Sequence, residues 1–320
     1  MSYRFEDIMK ITDVLGCTGL VAFFVLASVW IPFVGPIISL LTPLPFLYYS
    51  SKLGLYQGVK VAVITVFILG LVANLAGKPQ IVIYCVEFSL LGLALSEFLR
   101  RRFSIGQTIF LSLVFMLVIG TGVLFFLALS KNMGPFEMML SYLGDHLNAS
   151  LKAYEEMGVP QEDAMALQVY VKAFMEIISR IYPSLMIISA GFTVWLNVVI
   201  AKPLFRIRNL EYPEFIAMDR WRAPDNLIWG LIVSGFALFL ASESIKILAI
   251  NAMIVMMAVY LFHGLSIVLF FFSKYHVPSW IRIGVYFLIM VQQLFLVILI
   301  LGGIFDQWID FRKIHRKTDS

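Results

Sequence analysis

The sequence has little charge. Only 14% of its 320 residues are Asp, Glu, Lys or Arg, and 61% are hydrophobic, whereas soluble domains carry about 25% charged residues. The hydrophobic residues are grouped into runs of roughly 15 to 26 residues, which match the hydrocarbon thickness of a bilayer. These features argue against a soluble protein and predict an all-α, polytopic transmembrane helical bundle.

Signatures of familiar chemistry are also missing. The sequence contains no HExxH, GxSxG or Walker A motif, and its four histidines are scattered. The two cysteines, Cys17 and Cys85, lie in apolar segments without a Cys or His at ligand spacing, so neither a disulfide nor a zinc site is indicated. We therefore expect no enzymatic activity, cofactor or bound metal, and any ATP-driven process would need a separate ATPase.

Nine apolar runs are candidates for membrane spans. The second run contains Pro36, Pro43 and Pro45 and is rather short for a regular span, so it predicts either a broken helix packed against its neighbours or a re-entrant loop. About eight or nine spans are expected in total. The runs cover residues 11–33, 36–49, 59–76, 81–99, 105–129, 183–201, 227–250, 251–272 and 280–304.

Positive charge predicts the orientation of these spans. Most Lys and Arg residues flank apolar runs, so the net charge of +4 reflects a positive cytoplasmic side and not binding to nucleic acid. Residues 100–102 and the Lys and Arg residues of 202–226 should be cytoplasmic. Nine crossings, however, would put Arg312 and Lys313 outside. A run that does not cross would remove this conflict, and 227–250 is the best suspect because its uninterrupted apolar part stops at Ala241; the sequence leaves the side of the C-terminus open.

The chain divides into two membrane domains. Residues 1–201 form six spans, including an outer loop at 130–182 in which apolar residues at helical spacing predict two amphipathic helices. These helices either lie on the outer leaflet or cover an outward-facing cavity. A basic cytoplasmic linker at 202–226 leads to a C-terminal helical module and charged tail at 227–320. The first ten residues contain two acids, and no small-residue cleavage site follows the first run, so the first helix is not a removable signal.

Polar residues at membrane depth are the candidate site. Glu87 has at least six residues of its span on either side, and a charged carboxylate there needs a partner, a proton or a ligand. We predict that Glu87 binds a ligand together with Tyr84, Asn74 and Asn197. The alternative is structural, because such groups also join helices by hydrogen bonds. His263, next to Gly264 in an apolar run, either titrates or bonds across a helix interface.

Two resemblances follow from the motifs. Six spans with a proline-broken second one, followed by PLPFLYYSSKLGLYQGVKVAVITVFILGLVANLAG, resemble the membrane-embedded substrate-binding subunits (S components) of energy-coupling factor importers of vitamins and metals. The whole chain, with its ending GLSIVLFFF and LGGIFDQWIDFRK, is similar to the YybS-like bacterial membrane proteins, a family without an established function. The first resemblance covers roughly residues 11–201 and the second nearly the whole chain.

The resemblances imply two functions. In the first, the protein is a multi-pass protein of the bacterial inner membrane that binds or transports a small molecule, with a membrane coupling subunit and a separate ATPase as partners. Its pocket would open outward between the broken second span and spans three, four and six. In the second, the protein is a non-transporting scaffold or assembly protein that keeps the fold without the ligand. The lipid bilayer is the remaining partner in both.

Overall fold

The computed structural model describes residues 9–31, 34–156, 161–208, 210 and 217–313. Within these ranges the chain is helical and contains no strand, which confirms the predicted all-α class. A 3-10 turn, Met218–Arg220, precedes α9. The helices are α1 (Ile11–Trp30), α2 (Gly35–Ser39), α3 (Pro43–Leu53), α4 (Leu55–Leu75), α5 (Gln80–Arg100), α6 (Ile105–Ser130), α7 (Pro135–Glu156), α8 (Gln161–Ile207), α9 (Leu227–Ala237), α10 (Glu243–Lys274), α11 (Ser279–Val291) and α12 (Gln293–Ile309).

Six helices in the described part of the chain are long and apolar enough to cross a membrane, and a seventh span is possible if α11 and α12 count as one. This number is below the eight or nine spans expected from the apolar runs. The second run is divided between the short helices α2 and α3. The run at 227–250 contains only the 11-residue α9 before a turn, and 11 residues rise about 16 Å. An α-helix needs about 20 residues to cross the hydrocarbon.

The described chain forms two compact units. The first unit contains Met1–Leu143 and Ser189–Glu214, and the second contains Gly144–Ile188 and Phe215–Ser320. Residues 144–188 thus group with the C-terminal segment, whereas the sequence-based division keeps them with the N-terminal domain. Part of the predicted basic linker, residues 209 and 211–216, and the end of the tail, 314–320, lie outside the described residues.

The first unit is built around α3. This short helix packs against α4 and α5, and its side chains join a core that contains Val14, Cys17 and Cys85. Gly92 permits the contact with α5, because a Cβ at this position would lie 2.5 Å from the Pro43 carbonyl oxygen. The core depends on close backbone approach between short and long helices.

The break between α2 and α3 is bonded to side chains of neighbouring helices, and the Ser39 carbonyl also accepts from the Thr42 N–H at 3.0 Å. Pro43 has no N–H to donate to the Ser39 carbonyl, and the Leu44 N–H donates to Leu41 instead of Leu40. Tyr84 Oη donates to the Ser39 carbonyl at 2.8 Å, and Asn197 Nδ2 donates to the Leu40 carbonyl at 2.7 Å. The second run is therefore a broken helix whose interruption is bonded to neighbouring helices.

A similar arrangement occurs in α8, within the second unit. Pro183 lies inside this continuous helix, and the side chain of Asn251 on α10 bridges the backbone groups beside it. Asn251 Nδ2 donates to the Arg180 carbonyl at 2.7 Å, and Asn251 Oδ1 accepts from the Ser184 N–H at 2.8 Å. The amide thus joins two backbone groups that an unbroken helix would bond directly to each other.

In the second unit, α10 packs against α9 and α12. The backbones of α10 and α12 come very close at two glycines. A Cβ on Gly264 would lie 2.0 Å from the Leu299 carbonyl oxygen, and one on Gly303 would lie 2.3 Å from the Tyr260 carbonyl oxygen. Because the later residue of α10 meets the earlier residue of α12, the two helices run in opposite directions where they cross.

The loop at 130–182 contains two helices, as predicted, in α7 and the first part of α8. On α7, Leu140, Leu143 and Leu147 are partly buried, whereas Asp145 and Lys152 are exposed. The predicted break at 158–160 lies outside the described residues. With 47 residues, α8 is more than twice as long as a single span requires.

The side of the C-terminal tail follows from Arg312. Its Nη1 donates to the carbonyls of Asp219 and Trp221, which belong to the predicted cytoplasmic linker. Residue 312 therefore lies at the same end of the second unit as this linker. The helix α10 and the bent pair α11–α12, counted as one span, make two crossings between the linker and the tail. The conflict between nine crossings and the positive tail then disappears.

This arrangement predicts the outcome of cysteine labelling. Single cysteines at positions 101, 207 and 313 should be protected from an impermeant maleimide in intact cells and labelled after permeabilisation, because all three should be cytoplasmic. A cysteine at position 131 should be labelled in intact cells. Both native cysteines are buried, so the background should be low. Labelling of position 313 but not 207 in intact cells would contradict the shared side.

Asparagine variants test the bonded break. Asn197→Ala should lower the free energy of unfolding by about 1 to 3 kcal/mol, because it leaves the Leu40 carbonyl buried without its donor. Asn74→Ala is the matched control, since Asn74 is exposed and its side chain bonds to no described residue. Thermal unfolding in detergent measures both variants. Equal small effects would mean that the break needs no side-chain partner.

Candidate functional site

The structure places the four predicted site residues at three different locations in the first unit. Tyr84 and Asn197 come together at the α2–α3 break, where they bond to adjacent carbonyls. Thr42 Oγ1 lies 3.0 Å from Tyr84 Oη, and Asn197 Nδ2 also donates to the Thr193 carbonyl of its own helix at 2.8 Å. Both side chains therefore donate hydrogen bonds to the backbone of the break. This corresponds to the structural alternative, in which polar groups join helices and bind no ligand.

Glu87 lies between α5 and α6. A Cβ on Gly120 would be 3.0 Å from Glu87 Oε1, so the missing side chain of this glycine makes room for the carboxyl group. Glu87 is partly buried and forms no hydrogen bond or ion pair with any described residue. Only Thr108, Ser112 and Ala128 are buried on α6, so most of this helix is left uncovered by the protein. The carboxyl group thus has no structural role comparable to that of Tyr84 or Asn197.

Asn74 lines a groove between α4 and α5. The cavity has a volume of about 640 Å³, and Ser89 is the other lining residue with a polar side chain. The remaining lining residues are Val59, Ala62, Val63, Val66, Phe67, Gly70, Leu71, Pro79, Val82, Val86, Leu90 and Leu93. Neither Glu87, Tyr84 nor Asn197 lines this groove. The predicted pocket between the broken second span and spans three, four and six is replaced by a groove between spans three and four alone.

A second polar cluster lies in the second unit and was not predicted from the sequence. His263 and Asp306 are fully buried, and Arg312 is 4% exposed. Asp306 Oδ2 lies 3.1 Å from His263 Nε2 and 3.0 Å from Arg312 Nη2. Ser266 completes the cluster, because its Oγ accepts from Arg312 Nη1 at 2.7 Å and donates to the Trp221 carbonyl at 2.6 Å.

The charges of this cluster balance. Buried ions need partners and hydrogen bonds, and the Arg312 guanidinium bonds to three carbonyl or hydroxyl oxygens and to the Asp306 carboxylate. Asp306 Oδ1 also accepts from the Phe311 N–H at 2.8 Å. The sequence signal was an acid inside an apolar helix, Asp306, followed by a basic residue, Arg312, that we had assigned to topology alone.

No group of three or more metal-ligating His, Cys, Asp or Glu side chains occurs in the described ranges. The cysteines Cys17 and Cys85 are both free and buried. The candidate chemistry of the described residues is therefore limited to the apolar groove with Asn74, the carboxyl group of Glu87 and the buried cluster of His263.

Glu87→Leu tests whether this carboxyl group is structural. Because Glu87 has no partner among the described residues, we expect the variant to express and to unfold at an unchanged or higher temperature, since it removes a polar group from an apolar setting. Asn197→Leu should unfold at a lower temperature in the same assay. A fall for Glu87→Leu as large as that for Asn197→Leu would reveal a bonding partner.

Comparison with known proteins gives a family without an assigned activity. The protein is similar to "Uncharacterized protein YybS" of Bacillus subtilis (strain 168), with 22% identity over 299 residues, which cover 92% of this chain and 94% of the relative. No solved structure matches the chain. The model of the family described as "Predicted membrane protein (DUF2232)" matches residues 19–307. The chain therefore belongs to this family of multi-pass membrane proteins, as its YybS-like sequence features predict.

Proposed function

We propose that this protein is a membrane-embedded binding subunit that holds a small hydrophobic molecule in the groove between α4 and α5. The cavity volume of about 640 Å³ carries the proposal, because ligand pockets typically measure 300 to 1,000 Å³. Its lining is apolar except at Asn74 and Ser89. Pockets of this type bind an apolar body and fix its orientation through a few polar groups.

The polar groups narrow the ligand class. The Ser89 hydroxyl donates to the Val86 carbonyl of its own helix at 2.8 Å. Asn74 lies at the end of α4, is exposed and has a side-chain amide that bonds to no described residue. An amphiphile could therefore place its chain along the groove and its polar group beside Asn74. Glu87 faces α6 and would not contact this ligand directly.

Transport would need further components. The likeness of residues 11–201 to S components supports a role in which a membrane coupling subunit and a separate ATPase move the ligand across the bacterial inner membrane. The broken helix α2–α3 is compatible with this role, because irregular backbone at membrane depth is typical of transporters. These partners and this location are part of the proposal.

The scaffold function is the second candidate. Its support is the use of Tyr84 and Asn197 to hold the α2–α3 break, which removes two of the four predicted ligand-binding residues from the groove. In a scaffold, the groove would contain only ordinary bilayer lipid. A larger side chain placed in the groove would then not change the binding of any particular ligand.

A groove-filling variant distinguishes the two functions. A Cβ on Gly70 would lie 3.4 Å from Val82, so Gly70→Leu should be accommodated while its side chain occupies the groove. We expect photo-crosslinking of a diazirine-labelled fatty acid to peptides of α4 and α5 to fall about tenfold. The added side chain displaces about two methylene groups of the probe from the groove, and burial of about two methylene groups corresponds to about a tenfold change in affinity. Mass spectrometry of the digested protein measures the crosslinks.

Gly122→Leu is the matched control. Gly122 is exposed on α6, and a Cβ there meets nothing within 4 Å. Crosslinking to α4 and α5 should stay unchanged in this variant. Labelling that is spread evenly over all lipid-facing helices and is insensitive to Gly70→Leu would refute the binding function and favour the scaffold.

A further inference from the structure

The buried cluster of the second unit contains a histidine nitrogen that has two kinds of partner. His263 Nε2 lies 3.1 Å from Asp306 Oδ2 and 3.1 Å from Arg312 Nη2. An ionised carboxylate only accepts hydrogen bonds, and a guanidinium only donates them. Nε2 can therefore donate to Asp306 when it carries a proton and accept from Arg312 when it does not.

Neither neighbour loses its last partner when Nε2 changes state. Arg312 Nη2 can donate to Asp306 Oδ2 at 3.0 Å, and Arg312 Nη1 has three other acceptors. Asp306 Oδ1 is bonded to the Phe311 N–H. Protonation of His263 thus leaves Arg312 and Asp306 hydrogen-bonded, and Asp306 Oδ2 then faces two cations.

The other ring nitrogen of His263, Nδ1, lies outside this set of hydrogen bonds. His263 Nδ1 is buried and has no hydrogen-bond partner among the described residues. Buried polar groups without a protein partner are usually bonded to an ordered water.

We propose that His263, held between Asp306 and Arg312, is a buried proton-binding site that takes up one proton at Nε2. Histidine suits this role because its ordinary titration falls between about pH 5 and pH 8. Proton uptake would switch the Nε2 hydrogen bond from Arg312 to Asp306. Arg312 also holds the carbonyls of Asp219 and Trp221, so the proton-binding site and the attachment of the tail share one side chain.

The surroundings identify the other charged groups that face the site. On α12 the titratable neighbour is Asp306, and from the tail it is Arg312. In the segment before α9, Arg222 donates to the Asp306 carbonyl at 3.1 Å, whereas Asp219 contributes its backbone carbonyl. The α9 sequence has no titratable residue, and Tyr260 on α10 stacks beside His263. The site proper thus comprises one acid, one base and the imidazole.

Trp221 provides a built-in reporter. Its ring centroid is 6.2 Å from that of His263, and a protonated imidazole quenches the fluorescence of a neighbouring indole. The protein in nanodiscs should be titrated from about pH 8 to pH 5, and the signal of Trp221→Phe should be subtracted to isolate Trp221. We expect its fluorescence to fall along a one-proton curve as the pH is lowered.

Variants assign the proton. The transition should disappear in His263→Gln and persist in His276→Asn, a control at an exposed histidine whose positive φ of 49° asparagine tolerates. The absence of any transition in the parent protein would overturn the proposal, as would a transition that survives in His263→Gln.

If His263→Gln does not fold, a second experiment uses the variant with His146, His276 and His315 replaced by Asn. His263 is then the one imidazole left, and the NMR shifts of its ring nitrogens report its protonation directly. An Nε2 shift that stays constant across the titration would then overturn the proposal.

Discussion

The fold depends on providing hydrogen bonds for backbone that proline sets free inside an apolar environment. Unpaired backbone groups are costly in hydrocarbon, and the chain solves the problem twice with an asparagine from another helix. Asn197 donates to the carbonyl of Leu40, three residues before Pro43, and Asn251 donates to the carbonyl of Arg180, three residues before Pro183. In both cases Nδ2 also donates to the carbonyl four residues earlier in its own helix. The same side-chain geometry therefore accommodates a proline within an apolar run in each unit.

The constraint extends to charge. In the second unit, Arg312 and Asp306 are almost completely removed from solvent. Arg312 donates to acceptors such as Ser266 Oγ, and Asp306 accepts from donors such as the Phe311 N–H. Such a cluster is sensitive to the loss of any one partner. It also joins the 217–223 segment, α10, α12 and the tail, so Asp306 and Arg312 are part of the packed interior of this unit.

These observations separate polar residues that support the fold from those that are available for function. Tyr84 Oη, Asn197 Nδ2 and Asn251 Nδ2 all donate to backbone carbonyls. Asn74 and Glu87 have no described side-chain partner, and they occur beside an apolar groove and beside a little-covered helix. The groove, the unpaired carboxyl group and the two-sided environment of His263 are therefore the features that fold stability alone does not explain.

The sequence by itself determined the helical membrane class, the polar residues at depth and the interruption at Pro43, because hydrophobic run length and proline chemistry are local properties. Apolar composition does not reveal where a run turns, as the run at 227–250 does after α9. It also assigned Arg312 to topology and grouped Glu87, Tyr84, Asn74 and Asn197 in one site. Only the tertiary structure decided that Tyr84 and Asn197 bond to a chain break, that Asn74 lines a groove and that His263, Asp306 and Arg312 meet. Except for Asp306 with Arg312, the hydrogen bonds among these residues join positions 43 to 157 apart, and no periodicity within a single helix encodes them.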